Sequence, residues 1–169
     1  MTPSTRRTPP QSLEAKAAFE AKLVNPRATP LMLDLDGNIS ETHLGNFFFV
    51  AGGKLHTSTS RTVLGGITRS TLFSMAGEMS IPVVEGNFTP YDVYCADEAF
   101  TASTSPSIVP VKSLNGSAIG KTVPGPITLK LMREWEKVVG IDFVSQALGH
   151  IEDLDKQSLL GQWAKLREA

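Results

Sequence analysis

Two glycines lead directly into a helix pattern in the segment Leu64-Gly65-Gly66-Ile67-Thr68-Arg69. The start of a helix presents free backbone N–H groups at its positive end, and the Thr68 hydroxyl adds one more donor, so this segment suits a phosphate group. A second segment, Ser40-Glu41-Thr42-His43-Leu44-Gly45-Asn46, places a carboxylate between two apolar strand segments. A carboxylate in that position suits a cationic ring nitrogen. Together the two segments predict a site for a phosphorylated nitrogen heterocycle.

Each of these residues has a simpler interpretation when it is taken alone. Paired glycines before a helix commonly form only a turn, and a glutamate such as Glu41 at a strand end is most often solvated. His43 lies two residues from Glu41, but no second His, Cys or acidic cluster has a ligand spacing with it. We therefore predict no metal site.

The composition is that of an ordinary globular chain. Of 169 residues, 41% are hydrophobic and 20% are charged, which is enough for one core. The net charge of −1 gives no electrostatic basis for binding nucleic acid or an anionic membrane, and no apolar run approaches the roughly 18 residues of a membrane span. The N-terminus, Met1 to Arg7, has basic residues but no apolar stretch after them, so we expect no secretory signal and a cytoplasmic location.

The single cysteine agrees with that location. Cys95 cannot form a disulfide within the chain, which fits a reducing compartment. We expect it to be buried as a small apolar residue.

The first half of the chain alternates short strands with turns. Residues 1–12 are rich in Pro, Ser and Thr and are expected to be extended, whereas Leu13 to Leu23 has the composition of a helix. The Leu and Met run after Pro30 predicts a strand, and Asp36-Gly37 predicts the hairpin turn that follows it. Further predicted elements are strands at Ile39–Glu41, Asn46–Val50 and Lys54–Thr57 and a helix at Ile67–Met79.

The second half mixes strands and helices without a regular order. The predicted strands are Ile81–Glu85 at a sheet edge, Glu98–Ala102 and Ile108–Val111, and the predicted helices are Thr89–Cys95, one that starts at Gly125-Pro126 and pauses at Gly140, and Ile151–Leu166. Trp135 and Trp163 lie on apolar helix stripes and are expected to pack. This irregular alternation indicates a mixed α/β or α+β fold. We expect a lead-in at residues 1–24 and a single domain at 25–169.

An ordered set of sequence blocks resembles the class IV, or fold type IV, aminotransferases. That family contains branched-chain and D-amino-acid aminotransferases, R-selective amine transaminases and aminodeoxychorismate lyase. The resemblance covers about residues 30–132. Its blocks are Leu33–Gly37, Ser40–Glu41 with Gly45–Val50, Leu64–Arg69, Ala96–Phe100, Ser103-Thr104 with Pro110-Val111, and Gly120 with Pro124–Thr128.

The resemblance implies the carboxy-terminal cofactor domain of that family, with a twisted mixed sheet or pseudo-barrel and flanking helices. It implies pyridoxal 5'-phosphate as cofactor and a homodimer as the assembly. Glu41 resembles the carboxylate that pairs with the pyridine nitrogen, which keeps the ring protonated as an electron sink. The implied roles of the other residues are a phosphate cradle at Gly66, Ile67 and Thr68, a second phosphate-binding hydroxyl at Thr104, a substrate-carboxylate turn at Ser103 and Ser105, and a brace for Glu41 at Asn46.

The resemblance does not extend to the lysine that forms the Schiff base with the cofactor. The sequence approaching that lysine resembles Arg7–Ser12, and the helix beyond it resembles Glu20-Ala21-Lys22. Only Leu13 to Phe19 lies between them. Lys16 is the nearest candidate, and its simpler interpretation is a solvated helix lysine. The family's amino-terminal domain, which supplies a phosphate-binding arginine and part of the substrate pocket, also has no match here.

Three hypotheses about function therefore stay open. The chain is an aminotransferase that moves an amino group between an amino acid or amine and a 2-oxo acid, or it is a non-catalytic homologue that keeps the fold and an anion site. The third possibility is that a separate chain supplies the missing half.

Overall fold

The computed structural model describes residues 10–105, 107–150 and 156–168. Its helices are α1 (Pro10–Val24), α2 (Ile67–Glu78), α3 (Pro90–Tyr94), α4 (Pro126–Val139), α5 (Phe143–Gly149) and α6 (Lys156–Glu168). Its strands are β1 (Leu31–Leu33), β2 (Ile39–Thr42), β3 (Asn46–Ala51), β4 (Lys54–Ser58), β5 (Val83–Gly86), β6 (Glu98–Ser103), β7 (Ser107–Pro110), β8 (Ser113–Leu114) and β9 (Ser117–Ala118). No helix in these ranges is both long and apolar enough to cross a membrane.

Strand β3 is the centre of a seven-stranded mixed sheet. It pairs antiparallel with β4 on one edge and with β6 on the other, and it meets β2 at the pair Glu41↔Asn46. Four consecutive apolar side chains from Phe47 to Val50 are buried, because both faces of the strand are covered. The expectation of a strand buried on both faces is therefore confirmed.

Each face of β3 packs against its own apolar cluster. On one face, Phe48 stacks on Phe100 with ring centroids 5.1 Å apart, and helices α2 and α4 cover them. On the other face, Phe49 packs edge-on against Phe88, also at 5.1 Å. The expectation that Trp135 and Trp163 pack is confirmed, because both side chains are buried in the first cluster.

The expected burial of Cys95 is wrong. Cys95 is the C-cap of α3 and is exposed, while its neighbours Val93 and Ala96 take the buried positions. A five-residue helix buries only a narrow stripe, and the cysteine falls outside that stripe. Low polarity alone did not determine which side of the helix it occupies.

Most predicted element boundaries agree with the structure to within two residues, but α1 begins at Pro10, inside the stretch that was expected to be extended. β5 begins at Val83, two residues later than predicted, because Pro82 lies outside the ladder and only its carbonyl accepts a hydrogen bond, from the Leu55 N–H at 2.9 Å. Gly140 ends α4 in the left-handed conformation, with φ +69°. The predicted final helix begins at Lys156 in the described part of the chain, and residues 151–155 lie outside it.

A buried carboxylate joins helix α4 to the sheet. Glu98 lies on β6 and accepts hydrogen bonds from the backbone N–H groups of Ile127 at 2.9 Å and Thr128 at 2.7 Å. A negative charge at this position also complements the positive end of the helix. A Cβ atom on Gly125 would lie 2.2 Å from the Glu98 side chain, so only glycine allows this close approach.

Replacing this carboxylate should destabilise the fold. In Glu98→Ala, the part-buried Ile127 N–H and the buried Thr128 N–H lose their acceptor, and we expect unfolding to become easier by about 2 to 4 kcal/mol. Urea denaturation at neutral pH measures the change. The control is Glu78→Ala, an exposed acid on α2, which should change stability by less than about 0.5 kcal/mol. Equal stabilities for the two variants would contradict the capping role.

Candidate functional site

The predicted acid and the predicted glycine segment lie side by side. The Leu64 backbone N–H donates to Glu41 Oε2 at 3.2 Å. Asn46, which lies opposite Glu41 across the β2–β3 hairpin, donates from Nδ2 both to Glu41 Oε2 at 3.1 Å and to the Leu64 carbonyl at 3.0 Å. The expectation that Asn46 braces the Glu41 segment thus agrees with its contacts. These hydrogen bonds join two segments that lie 23 residues apart along the chain.

The start of α2 is open towards solvent. Gly66 is the N-cap, and neither a side-chain cap nor an acid in the first turn occupies the helix start. The first helical hydrogen bond runs from the Ser70 N–H to the Gly66 carbonyl, so the N–H groups of residues 67–69 have no partner within the helix. A Cβ on Gly65 would meet nothing within 4 Å, and one on Gly66 would meet only Asn46 Oδ1, at 3.4 Å. This end of the helix can therefore receive an anion.

Glu41 is half-buried, and its environment is unfavourable for a negative charge. Burial raises the pKa of the Glu41 carboxyl, the Leu64 N–H opposes that rise, and the negative charge of Glu14 on α1 adds to it. Both hydrogen bonds from described residues fall on Oε2. Oε1 remains available for a cationic N–H, which would offset the cost of the buried charge.

The β6–β7 turn starts beside this hairpin. Gly45 lies so close to β6 that a Cβ on it would fall 2.3 Å from the Ala102 carbonyl oxygen and 2.6 Å from Ser103 Cβ. Ser103 is therefore next to the segment that carries Glu41. Thr104 and Ser105 lie further along the turn and line a cavity of about 510 Å³. The other walls of that cavity come from α4 and α5.

The structure brings four of the predicted site residues together. Glu41, Gly66, Ile67 and Thr68 share one region, with Thr68 buried and Ile67 exposed. No hydrogen bond between described residues joins Thr104 to any of the four. The placement of Thr104 and Ser105 as ligand-binding residues remains a prediction.

The lysine candidate is a solvent-exposed side chain of α1. Lys16 Nζ is 3.8 Å from Glu20 Oε1 on the outer face of α1, and its side chain is 71% exposed. Glu14, two residues earlier, is the α1 side chain whose charge reaches Glu41. In this conformation, Lys16 has the environment of a solvated helix lysine.

His43 also stays outside the hydrogen-bonded group. Its Nδ1 atom is buried without a hydrogen-bond partner among the described residues. Within the same ranges, no three His, Cys, Asp or Glu side chains are arranged to hold a metal ion.

Sequence reasoning gave no role to Arg69, which fixes the first turn of α2 to the sheet. Its guanidinium donates to the Ser58 carbonyl at 2.8 Å and to Glu85 at 2.7 Å, and it lies 4.4 Å from the centre of the Phe73 ring. The spacing of Arg69 and Phe73, four residues apart on a helix, is the signal that could have predicted this contact.

Comparisons with known proteins point to one protein family. A family model described as "Amino-transferase class IV" matches residues 12–114. The branched-chain-amino-acid aminotransferase of Pseudomonas aeruginosa is 35% identical over 109 residues, which make up 64% of this chain and 36% of that protein.

Solved structures of similar enzymes superpose on most of this chain. The branched-chain amino acid aminotransferase from Escherichia coli matches with a TM-score of 0.71 and 30% identity, covering 75% of this chain and 43% of that one. The branched-chain aminotransferase from the archaeon Thermoproteus uzoniensis, solved with norvaline, matches with a TM-score of 0.72 and 33% identity, over 76% and 42%. The chain thus spans less than half the length of these relatives.

A methyl group on Gly45 should disrupt the site. In Gly45→Ala, the new Cβ collides with the β6 backbone, which cannot move without losing its pairing with β3, so we expect a loss of about 1 to 3 kcal/mol in unfolding free energy. Gly65→Ala is the matched control, since it adds the same group to open space in the same region. Urea denaturation compares the two variants. If Gly45→Ala is as stable as Gly65→Ala, the close approach of the hairpin to β6 is incorrect.

Removing the charge of Glu41 should stabilise the ligand-free chain at neutral pH. Burial raises the folded-state pKa above the ordinary value of 4.5, so folding favours the protonated acid, and that stabilisation is lost as pH rises through the folded-state pKa. Glu41→Gln should therefore unfold at higher urea than the parent chain at pH 7, and the difference should shrink at a pH below 4.5. Glu78→Gln, at an exposed position, should show no such dependence on pH. A Glu41→Gln chain that is less stable at pH 7 would contradict this account.

Proposed function

This chain belongs to the class IV aminotransferase family, and we propose that it binds pyridoxal 5'-phosphate between Glu41 and the start of α2. The observation that carries the proposal is the hydrogen bond from the Leu64 N–H to Glu41 Oε2. Leu64 precedes Gly66 by two residues, so this hydrogen bond brings Glu41 beside the open start of α2. A group for the ring nitrogen and a group for the phosphate therefore lie within reach of one another.

The residues at both ends suit the cofactor. At the phosphate end, the backbone N–H groups of residues 67–69 have no acceptor within the helix and follow two glycines, and a Cβ on Gly65 would meet open space. At the ring end, Glu41 Oε1 would accept a hydrogen bond from the protonated pyridine nitrogen. The bound cofactor would supply an electron-withdrawing ring that stabilises negative charge on the substrate carbon.

We propose transfer of an amino group between an amino acid or amine and a 2-oxo acid as the reaction. Glu41 would hold the ring charge, and the turn at Ser103 and Ser105 would offer N–H and hydroxyl donors to the substrate carboxylate. The names of the relatives support this assignment, because the similar enzyme from Pseudomonas aeruginosa is a branched-chain-amino-acid aminotransferase. Another similar branched-chain amino acid aminotransferase was solved in complex with N-(5'-phosphopyridoxyl)-L-glutamate, which is a cofactor joined to an amino acid.

A non-catalytic homologue is the second candidate, and the position of Lys16 favours it. The Lys16 amine pairs with Glu20 in solvent, so covalent capture of the cofactor by this residue would require the amine to leave that pair. Without that change, the chain would hold the cofactor through charge and hydrogen bonds alone.

A homodimer in the cytoplasm completes the proposal. Exposed apolar side chains cluster in sequence on α1 and around the glycine segment, namely Leu13, Phe19, Leu23, Leu64 and Ile67. Exposed apolar surface of this kind is typical of a protein–protein interface. A second copy of the chain, or a chain that resembles the rest of the relatives, would cover it.

Titration with pyridoxal 5'-phosphate tests the site and the lysine together. We expect saturable binding to the parent chain and at least about tenfold weaker binding to Glu41→Gln, because a neutral amide no longer stabilises the ring charge. Mass spectrometry after borohydride reduction reports whether the aldehyde is attached to a lysine. Attachment that is lost in Lys16→Ala and kept in Lys22→Ala supports the aminotransferase, and binding without attachment supports the non-catalytic homologue. Absence of binding would overturn both candidates.

A further inference from the structure

We propose that the cavity between the β6–β7 turn, α4 and α5 is a second binding site, which takes a small neutral aromatic molecule that carries a hydrogen-bond acceptor. It shares the turn residues Thr104 and Ser105 with the proposed aminotransferase site but needs no cofactor. Helices α4 and α5 lie outside the segment 12–114 that the family model matches. The cavity volume of about 510 Å³ falls within the range of roughly 300 to 1,000 Å³ that is typical of small-molecule pockets.

Two side chains that line this cavity are both polar and buried. Trp135 on α4 has 7% of its surface exposed, and Ser107 at the start of β7 has 8%. The Trp135 indole N–H is buried without a hydrogen-bond partner among the described residues. Buried tryptophan N–H groups generally have a partner, so an orphaned one beside a cavity indicates a place for an acceptor. Trp135 and Ser107 together form the floor of the cavity and carry its most enclosed donors.

The backbone of Ser107 supports the same assignment. Its φ of 58° lies in the left-handed region, which glycine adopts freely and serine rarely adopts. The residue pairs with Ser103 across the β6–β7 turn, so the sheet fixes it in that conformation. Strained residues of this kind cluster at ligand-binding sites. Here the strain places a hydroxyl in the cavity wall.

The remaining lining residues determine the class of ligand. Among the described residues that line the cavity there is no Asp, Glu, Lys or Arg, and His150 is the one titratable side chain. A charged ligand would therefore lose its hydration without gaining a counter-charge. An uncharged ring can instead pack against Trp135 and Phe143 while its acceptor meets the donors of the floor.

A filled-cavity variant tests the location. Ala147 is an exposed residue of α5 that lines the cavity, so Ala147→Phe should fill the cavity and abolish binding of benzamide, a neutral ring with a carbonyl acceptor. The matched control is Ala164→Phe, because Ala164 is an exposed alanine of α6 and is not among the lining residues. Ligand-detected NMR measures binding to each chain. Benzamide binding that persists unchanged in Ala147→Phe would overturn the location.

Three molecules of nearly the same shape test the ligand class. They are benzamide, the anion benzoate and the cation benzamidinium, and only binding that Ala147→Phe abolishes counts as binding in the cavity. We expect saturable benzamide binding in the millimolar range, since so small a molecule fills only part of the cavity. The two ions should bind there at least about tenfold more weakly. Tighter binding of either ion in the cavity would overturn the neutral class, and absence of saturable benzamide binding would overturn the site.

Two further variants test the floor. Ser107→Gly removes the hydroxyl and suits the left-handed backbone, and Trp135→Phe keeps an aromatic ring but removes the N–H. Each should weaken benzamide binding about threefold to tenfold, which is the effect of one hydrogen bond. Unchanged affinity in both variants would contradict the role of the floor donors. All of these measurements use the chain without pyridoxal 5'-phosphate, so this proposal and the proposed cofactor site can fail independently.

Discussion

The double pairing of strand β3 is the constraint on which the rest of the structure depends. It is hydrogen-bonded along both edges and buried on both faces, so the phenylalanines at 47–49 specify two apolar clusters at once. A shift of one residue would exchange the two faces and spoil both clusters. Because Asn46 is the first residue of the same strand, this fixed register also determines where its amide meets Glu41.

Much of this arrangement could be predicted from the sequence, because several signals agree locally. The glycine pair before α2, the hairpin at Asp36-Gly37 and the apolar run in β3 each carry their own short-range cause, and the ordered blocks indicated the fold type IV aminotransferase fold, which the structural matches confirm. That the segment of Glu41 and the glycine segment form one site was predicted from their chemistry and from the family resemblance, whereas the hydrogen bond between Glu41 and Leu64 was not predicted. No local pattern joins residues 23 positions apart.

The remaining features depend on contacts that periodicity does not encode. The exposure of Cys95 follows from how a short helix lies on the sheet, and the environment of Lys16 follows from the orientation of α1. The guanidinium of Arg69 pairs with the Ser58 carbonyl and the Glu85 carboxylate, which come from other parts of the chain. In each case, tertiary packing selects one environment from several that the local sequence allows.

The buried cap formed by Glu98 has a consequence for assembly of the chain. The carboxylate is synthesised 29 residues before its partner Ile127, so it is present before the helix whose N–H groups satisfy it. Burial of Glu98 in the sheet and docking of α4 are therefore energetically coupled. If the sheet buried Glu98 before α4 supplied those N–H groups, the carboxylate would lose its hydration without gaining a hydrogen-bond partner, which is costly.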